Sequence, residues 1–197
     1  RTALSHAVAK VWPGAEIVET SSATEARREL EQGAEVLLLD LHMEDSNGLS
    51  ALMDFRQDFP ALPVAIISAS EEPRVYDAAS QLGAAAFIPK SASLELMREA
   101  LSCVREGDDW FPESDGTTDD DLARIANLTP AQRRILGQLS EGLLNKQIAY
   151  ELDISEATVK AHITAIFRKL GVVNRTQAVL LAAKLDVAQD VAAPTSA

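Results

Sequence analysis

Apolar positions along this chain change their period once, near residue 106. Before it, short unbroken apolar runs alternate with stretches in which apolar residues recur every three to four positions. EVLLLD (Glu35–Asp40) and VAIIS (Val64–Ser68) have the character of strands buried on both faces. Ala85–Ile88 is predicted as a third such strand, and Glu16–Thr20 as a shorter one. Helical spacing covers Thr2–Val11, Ser22–Gln32 behind a Ser/Thr cap, Leu49–Asp58, Pro73–Leu82 and Ser93–Arg105. Pro60 and Pro63 stop the third of these and Gly83 the fourth. Strands alternating with helices predict a parallel sheet covered by helices on both faces.

Residues 106–127 (EGDDWFPESDGTTDDDLARIAN) break the rhythm with two glycines, a proline and a dense acidic run. They are predicted as a linker, with some helix near Leu122–Ile125. Trp110 and Phe111 are the candidates to dock back on a domain. From Leu128 onward the spacing is helical only. Thr129 is a good N-cap with Pro130 at the first helical position. Ile135, Leu136 and Leu139 form the apolar face, and Gly142 ends the helix. A second helix, Lys146–Leu152, buries Ile148, Ala149 and Leu152. A turn at Asp153-Ile154 and a cap at Ser155 lead into a third helix that runs to about Leu170 and stops at Gly171. The tail, 186–197, is small and polar and is expected to fray. The predicted layout is therefore 1–105 as an α/β domain, 106–127 as linker and 128–185 as an all-α domain.

Charge sharpens this division. The whole chain carries a formal charge of −12, which by itself argues against a nucleic-acid partner. Residues 1–127 hold 10 basic and 24 acidic side chains, a net of −14, whereas 128–197 hold 8 and 6, a net of +2. Only the second half suits a phosphate backbone. No apolar run approaches the ~18 residues that span a bilayer, and no signal-peptide pattern is visible. The one cysteine, Cys103, lies in a helical apolar pattern and is read as packing. A cytoplasmic protein is expected.

On the third C-terminal helix Val159, Ile163, Ile166 and Leu170 follow the 3.6-residue period and are expected to face the core. Lys160, Thr164 and Arg168 share another face, beside the small residues Ala157 and Ala161. Small residues near a helix start let the backbone approach base edges. Lys160 has the reach for a guanine edge or a phosphate, and Ala161 suits a thymine methyl. Lys146, Thr158, His162, Lys169 and Arg175 suit phosphates. In an isolated helix such cations would be read as a solvated face; the three-helix context favours a DNA groove instead. Residues 128–185 resemble the LuxR-type helix-turn-helix domain of NarL/FixJ regulators, on LTPAQRRIL, EGLLNKQIAYEL, ATVKAHI and FRKLGVVNRTQAV. The resemblance implies that the Glu156–Leu170 helix enters the major groove of double-stranded DNA. It further implies a fourth helix, near Thr176–Leu185, that pairs two copies through Ala178, Leu181, Ala182 and Leu185. The other reading of that stripe is that it covers the domain's own core.

In the first half three strand ends carry chemistry. Asp40, Ser68 and Lys90 supply a carboxylate, a hydroxyl and an ammonium at the sheet's carboxyl edge, where such folds bind ligands. The set suits phosphoryl transfer, with the carboxylate as acceptor and the other two binding its oxygens. Taken singly, each is an ordinary turn or cap residue. Together they resemble the receiver domain of response regulators, on DLHMEDSNG, IISAS and GAAAFIPKS. The resemblance implies phosphorylation of Asp40 by a sensor histidine kinase. It gives Phe87 the place of the aromatic that reports phosphorylation, although core packing accounts for it equally well. It also implies Mg²⁺ held by Asp40, the His42 backbone carbonyl and an acidic pair on the family's first strand.

Two positions depart from the family. Glu44 stands where a proline is usual, and the first strand with its acidic pair has no counterpart, because the chain begins inside the first helix. The expectation is that about 15–20 residues precede Arg1 or that the receiver is degenerate. Residues 1–197 alone are not expected to be phosphorylated efficiently. Two other readings compete: a DNA-binding regulator whose receiver-like domain serves dimerisation or ligand sensing, and a haloacid-dehalogenase-type enzyme with Asp40 as nucleophile. The enzyme would need a second Asp two residues on, where His42 stands, so no enzymatic activity is expected.

Overall fold

The computed structural model describes residues 2–42, 48–114 and 119–186. The positions expected around Glu44, and the tail beyond residue 186, lie outside the described residues. The chain divides into two compact units, one ending at Thr118 and the other Asp119–Leu185.

The first unit begins with α1 (Thr2–Val11) and α2 (Ala23–Leu30). Ser22 caps α2, its side chain accepting a hydrogen bond from the Glu25 N–H at 3.1 Å. Next come β1 (Leu37–Asp40), α3 (Gly48–Asp58), β2 (Val64–Ser68), α4 (Pro73–Gln81), β3 (Ala86–Pro89) and α5 (Leu94–Glu106). The three strands are parallel in the order β1-β2-β3. β2 is central and buried at every position. One sheet face packs on α1 and α5: Ala7, Val8 and Val11 meet Ile67, Ile88, Met97, Ala100, Leu101 and Val104 in one cluster. The Arg105 guanidinium ties α5 to the end of α1 by donating to the Val11 carbonyl at 2.6 Å. On α3, Leu49, Leu52 and Phe55 are fully buried.

Two strand predictions are corrected. Glu16–Thr20 is not a strand, and Ile17 and Val18 stand exposed. A strand exists only through a ladder. Among the described residues no strand pairs with this segment, and β1 pairs with β2 alone. For the same reason β1 is an edge here: Leu37 and Leu38 are half-buried, and the two-sided burial read from EVLLLD is not reached.

The second unit is helical throughout. It contains α6 (Asp120–Ala126), α7 (Pro130–Ser140), α8 (Asn145–Glu151), α9 (Glu156–Leu170), α10 (Arg175–Ala182) and a 3-10 turn, Ala183–Asp186. The predicted linker is therefore shorter than 106–127. Asp119 caps α6, and Leu122 and Ile125 are buried beneath it, so α6 belongs to the helical unit. Thr129 and Gln132 form a reciprocal capping box at the start of α7. Between α8 and α9, Asp153 adopts φ 52°, a left-handed conformation that Asp tolerates better than most side chains. Gly142 (φ 88°) and Gly171 (φ 71°) take the same region after α7 and α9. The Asp153 turn sets the angle at which α8 and α9 meet, and so what face α9 presents.

Candidate functional sites: a phosphoacceptor pocket and a nucleic-acid interface

At the carboxyl edge of the sheet Asp40 and Lys90 come together. Lys90 Nζ donates to Asp40 Oδ2 at 2.6 Å, and the His42 N–H donates to Oδ1 at 3.0 Å. Partial burial raises the Asp40 carboxyl. The hydrogen bonds from Lys90 and His42, with the positive charge of Lys90, outweigh that and hold it below its ordinary value. The group is an ionised carboxylate at neutral pH, the form able to act as a nucleophile. The side-chain Nδ1 of His42 lies 3.6 Å from Oδ1, buried and without a hydrogen-bond partner.

Ser68 ends β2 fully buried, its hydroxyl accepting from the Ser70 N–H at 3.1 Å. Its carbonyl accepts from the Lys90 N–H at 2.7 Å, which fixes the β3 end, and hence Lys90, beside β2. Phe87 lies on β3 with no exposed surface. Its ring meets Tyr76 of α4 at 4.7 Å between centroids, tilted by 51°. The packing role weighed for Phe87 is thus present, and it joins β3 to α4.

A magnesium ion would need carboxylates besides Asp40. Among the described residues no three His, Cys, Asp or Glu side chains come together to hold a metal. Asp40 Oδ2 is instead satisfied by Lys90. These residues do not by themselves fit the ion.

On α9 the Ser155 side chain caps the helix by accepting from the Thr158 N–H at 3.0 Å. Val159, Ile166 and Leu170 are buried as the period requires, and Ile163 is half-buried. Lys160, Ala161, Thr164 and Arg168 are exposed, and Lys146 is exposed on α8. The Thr164 hydroxyl donates to the Lys160 carbonyl one turn back. His162 is half-buried and Thr158 exposed. Lys160 Nζ lies 2.8 Å from Glu156 Oε1, a pair that the Glu-to-Lys spacing of four residues could have signalled. The Lys160 ammonium holds the exposed Glu156 carboxyl below its ordinary value.

Two expected phosphate contacts are corrected. Lys169 Nζ turns inward to the Asn127 carbonyl at 3.0 Å and Gln132 Oε1 at 2.9 Å. Arg175 donates to the carbonyls of Leu139 at 2.9 Å and Leu143 at 2.8 Å. Both cations satisfy carbonyls at or just beyond helix ends: Asn127 after α6, Leu139 in the last turn of α7 and Leu143 in the turn that follows it. The pairing stripe is corrected too. Ala178, Ala182 and Leu185 are buried in their own domain and Leu181 is half-buried, while Val173 and Leu180 are the large exposed apolar residues nearby. Lys184 was missed altogether. It clamps the start of α6, reaching Asp119 at 2.8 Å and Asp121 at 2.5 Å. Its partners lie more than sixty positions away, so no local spacing signals them.

Comparison with known proteins accounts for both halves. The response regulator receiver domain profile matches residues 1–102, and that of bacterial regulatory proteins of the luxR family matches 126–182. The glycerol metabolism activator of Pseudomonas putida is 35% identical over an alignment of 201 positions, covering 94% of this chain and 91% of that protein. The nitrate/nitrite response regulator protein NarP of Escherichia coli is 32% identical over 183, covering 86% and 83%. The chain belongs to the response regulators in which a receiver domain precedes a LuxR-family DNA-binding domain. Among solved structures, RcsB of Salmonella enterica bound to promoter rprA aligns with a TM-score of 0.52 at 21% identity, over 94% of this chain and 92% of that one. The isolated receiver of RcsB aligns with a TM-score of 0.52 at 19% identity, over 57% and 84%. At these identities the structures establish the fold. No helix among the described residues is long and apolar enough to cross a membrane.

Proposed function

We propose that this protein is a transcription regulator that reads specific double-stranded DNA through α9, under control of phosphorylation at Asp40. The observation that carries the reading is the pairing of an ionised strand-end carboxylate held by Lys90 with an exposed Lys160/Ala161/Thr164/Arg168 face in the same chain. In the phosphorylation step Asp40 Oδ attacks the phosphorus of a kinase phosphohistidine. The P–N bond breaks, the histidine leaves, and an acyl phosphate remains. Lys90 then supports a phosphoryl oxygen, and the buried Ser68 hydroxyl and Phe87 ring are the groups that answer the change. NarP is a nitrate/nitrite response regulator, and the first of the two RcsB structures is bound to promoter DNA; both precedents support the reading. Receivers generally use Mg²⁺ for this reaction. The described residues supply no full ligand set for it, so no step is assigned to the ion.

On DNA we propose a homodimer. Because Ala178, Ala182 and Leu185 are inward, Val173 and Leu180 take the place of the stripe read from sequence. The protein works where its DNA is, in the cytoplasm, with a sensor histidine kinase as the upstream partner. Acetyl phosphate treatment of a form that also carries the acidic pair of the family's first strand, followed by intact-mass measurement with Asp40→Ala as control, tests the phosphorylation half. A gain of one phosphoryl group in the wild type alone is expected. No gain would leave a DNA-binding regulator whose receiver acts without phosphate.

A further inference from the structure

The stretch that follows α5 does not leave the receiver at once. Trp110 forms a one-residue parallel bridge with Ala86 on the open edge of β3. Its N–H donates to the Ala85 carbonyl at 3.0 Å, and its carbonyl accepts from the Phe87 N–H at 3.1 Å. The indole Nε1 donates to Glu99 of α5 at 3.2 Å. Four residues on, the Ser114 hydroxyl reaches Asp77 of α4 at 2.5 Å. Residues 110–114 are therefore pinned at one end to β3 and α5 and at the other to α4. They cross the seam that the Phe87–Tyr76 ring pair closes from inside. A span of four residues extends to at most about 14 Å, so it tolerates little change in the spacing between its anchors. An edge strand closed in this way is also protected from pairing with other chains.

We propose that Trp110 is a positioning residue that gauges the α4–β3 seam: it keeps the linker docked while the Phe87–Tyr76 pair is closed and releases it when the seam moves. The proposal rests on the phosphorylation reading for the identity of the signal, but the gauge itself does not depend on it. Release frees residues 108–114 and lengthens the tether between residues 1–118, with 9 basic and 21 acidic side chains (net −12), and the helical unit 119–185, with 9 and 7 (net +2), which weakens the repulsion DNA meets.

The chain has two tryptophans, so Trp12→Phe leaves Trp110 as the sole reporter in the full protein. Acrylamide quenching of Trp110 is expected to rise at least twofold in Tyr76→Leu, which removes the ring pair from the buried face of α4, and to rise also in Ser114→Ala. A purely local packing role predicts no change in either. Unchanged quenching in Ser114→Ala, a surface change that leaves the core intact, overturns the gauge even if Tyr76→Leu unfolds the domain. In parallel, Trp110→Pro removes the donor to Ala85, whereas Trp110→Phe keeps both backbone bonds. Trp110→Pro is expected to raise the DNA affinity of the full chain threefold or more and Trp110→Phe to leave it near wild type. Equal affinities in all three proteins overturn the coupling while the DNA-binding reading stands. If the wild type binds no DNA, that reading fails, and the quenching series still decides the gauge.

Discussion

Arg175→Ala separates two roles that sequence alone cannot distinguish, a phosphate contact and an internal tie. Arg175 makes two charge-assisted hydrogen bonds, at 2.9 Å to the Leu139 carbonyl and 2.8 Å to that of Leu143. Each such bond contributes about 1.5–3 kcal/mol when its partner is withdrawn from water. Arg175 is half-buried, so water recovers part of the loss at the freed carbonyls. We therefore expect about 2–3 kcal/mol of destabilisation, confined to the helical unit. For a domain of this size that corresponds to a fall in Tm of about 8–20 °C. Trp12 and Trp110 both precede Asp119, so tryptophan fluorescence follows only the receiver, while circular dichroism at 222 nm follows both units. The variant should lower the dichroism transition and leave the fluorescence transition in place. On DNA the slope of log affinity against log salt should stay within experimental error of the wild-type slope. Stability within about 0.5 kcal/mol of wild type, together with a salt slope reduced by ~1, would refute the reasoning and restore Arg175 as a phosphate contact.

Other expectations follow the same geometry. Lys160→Ala should cost ~1–3 kcal/mol on a specific site if the lysine reads a base, whereas Lys146→Ala should weaken all sequences alike and flatten the salt dependence; site-selection and salt titrations separate them. Glu156→Gln removes both the partner of Lys160 and a negative charge at the proposed groove, so affinity for random DNA should rise in a filter or anisotropy assay. At Asp153, φ 52° makes Gly neutral or slightly stabilising, while Val should cost about 1–2 kcal/mol in urea unfolding. The Asp119–Lys184 clamp predicts a pH window. Its hydrogen bond to Lys184 lowers the Asp119 carboxyl, so the stabilisation is present above the unfolded value of ~3.9 and is lost as pH falls through the lower folded value. The hydrogen bonds that Lys184 donates to Asp119 and Asp121 raise its own value, so its contribution holds below ~10.4 and is lost as pH rises through the higher folded value. Lys184→Met should remove the alkaline edge from the pH dependence of Tm and reduce the acid one, because the Asp121 N–H still donates to Asp119.

What the sequence made legible tracks how local each signal is. Helix starts were read to within a residue where a side-chain cap marks them, as at Ser22, Thr129 and Ser155. β2 was read with its limits because an unbroken apolar run in a central strand is decided by burial alone. Glu16–Thr20 was misread because a strand depends on a neighbour, and the local pattern carries no information about whether one is there. The approach of Asp40 and Lys90, fifty residues apart, followed from strand-end logic. The inward turns of Lys169 and Arg175 did not, since the carbonyls they satisfy belong to helices packed from elsewhere in the chain. The domain boundary moved to Asp119 for a related reason: a seven-residue helix with two buried side chains is too short for periodicity to separate from an acidic linker.

These corrections change the electrostatic case for the DNA interface. Eight cations in residues 128–185 supported a phosphate-binding surface. The side chains of Lys169 and Arg175 are committed to helix ends, Lys184 to two aspartates and Arg133 to the Leu128 carbonyl, and Lys160 shares its charge with Glu156. Among the candidates named for DNA, Lys146 and Arg168 remain as the exposed cations outside those ties, with Arg134 exposed on α7. A surface with so few outward charges gains little from sequence-independent attraction, and the acidic receiver opposes even that. In the proposed reading, useful affinity then comes from base-edge contacts along Lys160, Ala161 and Thr164 and from doubling the contacts in the proposed dimer. A regulator built this way binds little DNA as a monomer at random sites. If the proposed dimer forms, a change in how two copies are brought together is then enough to switch it.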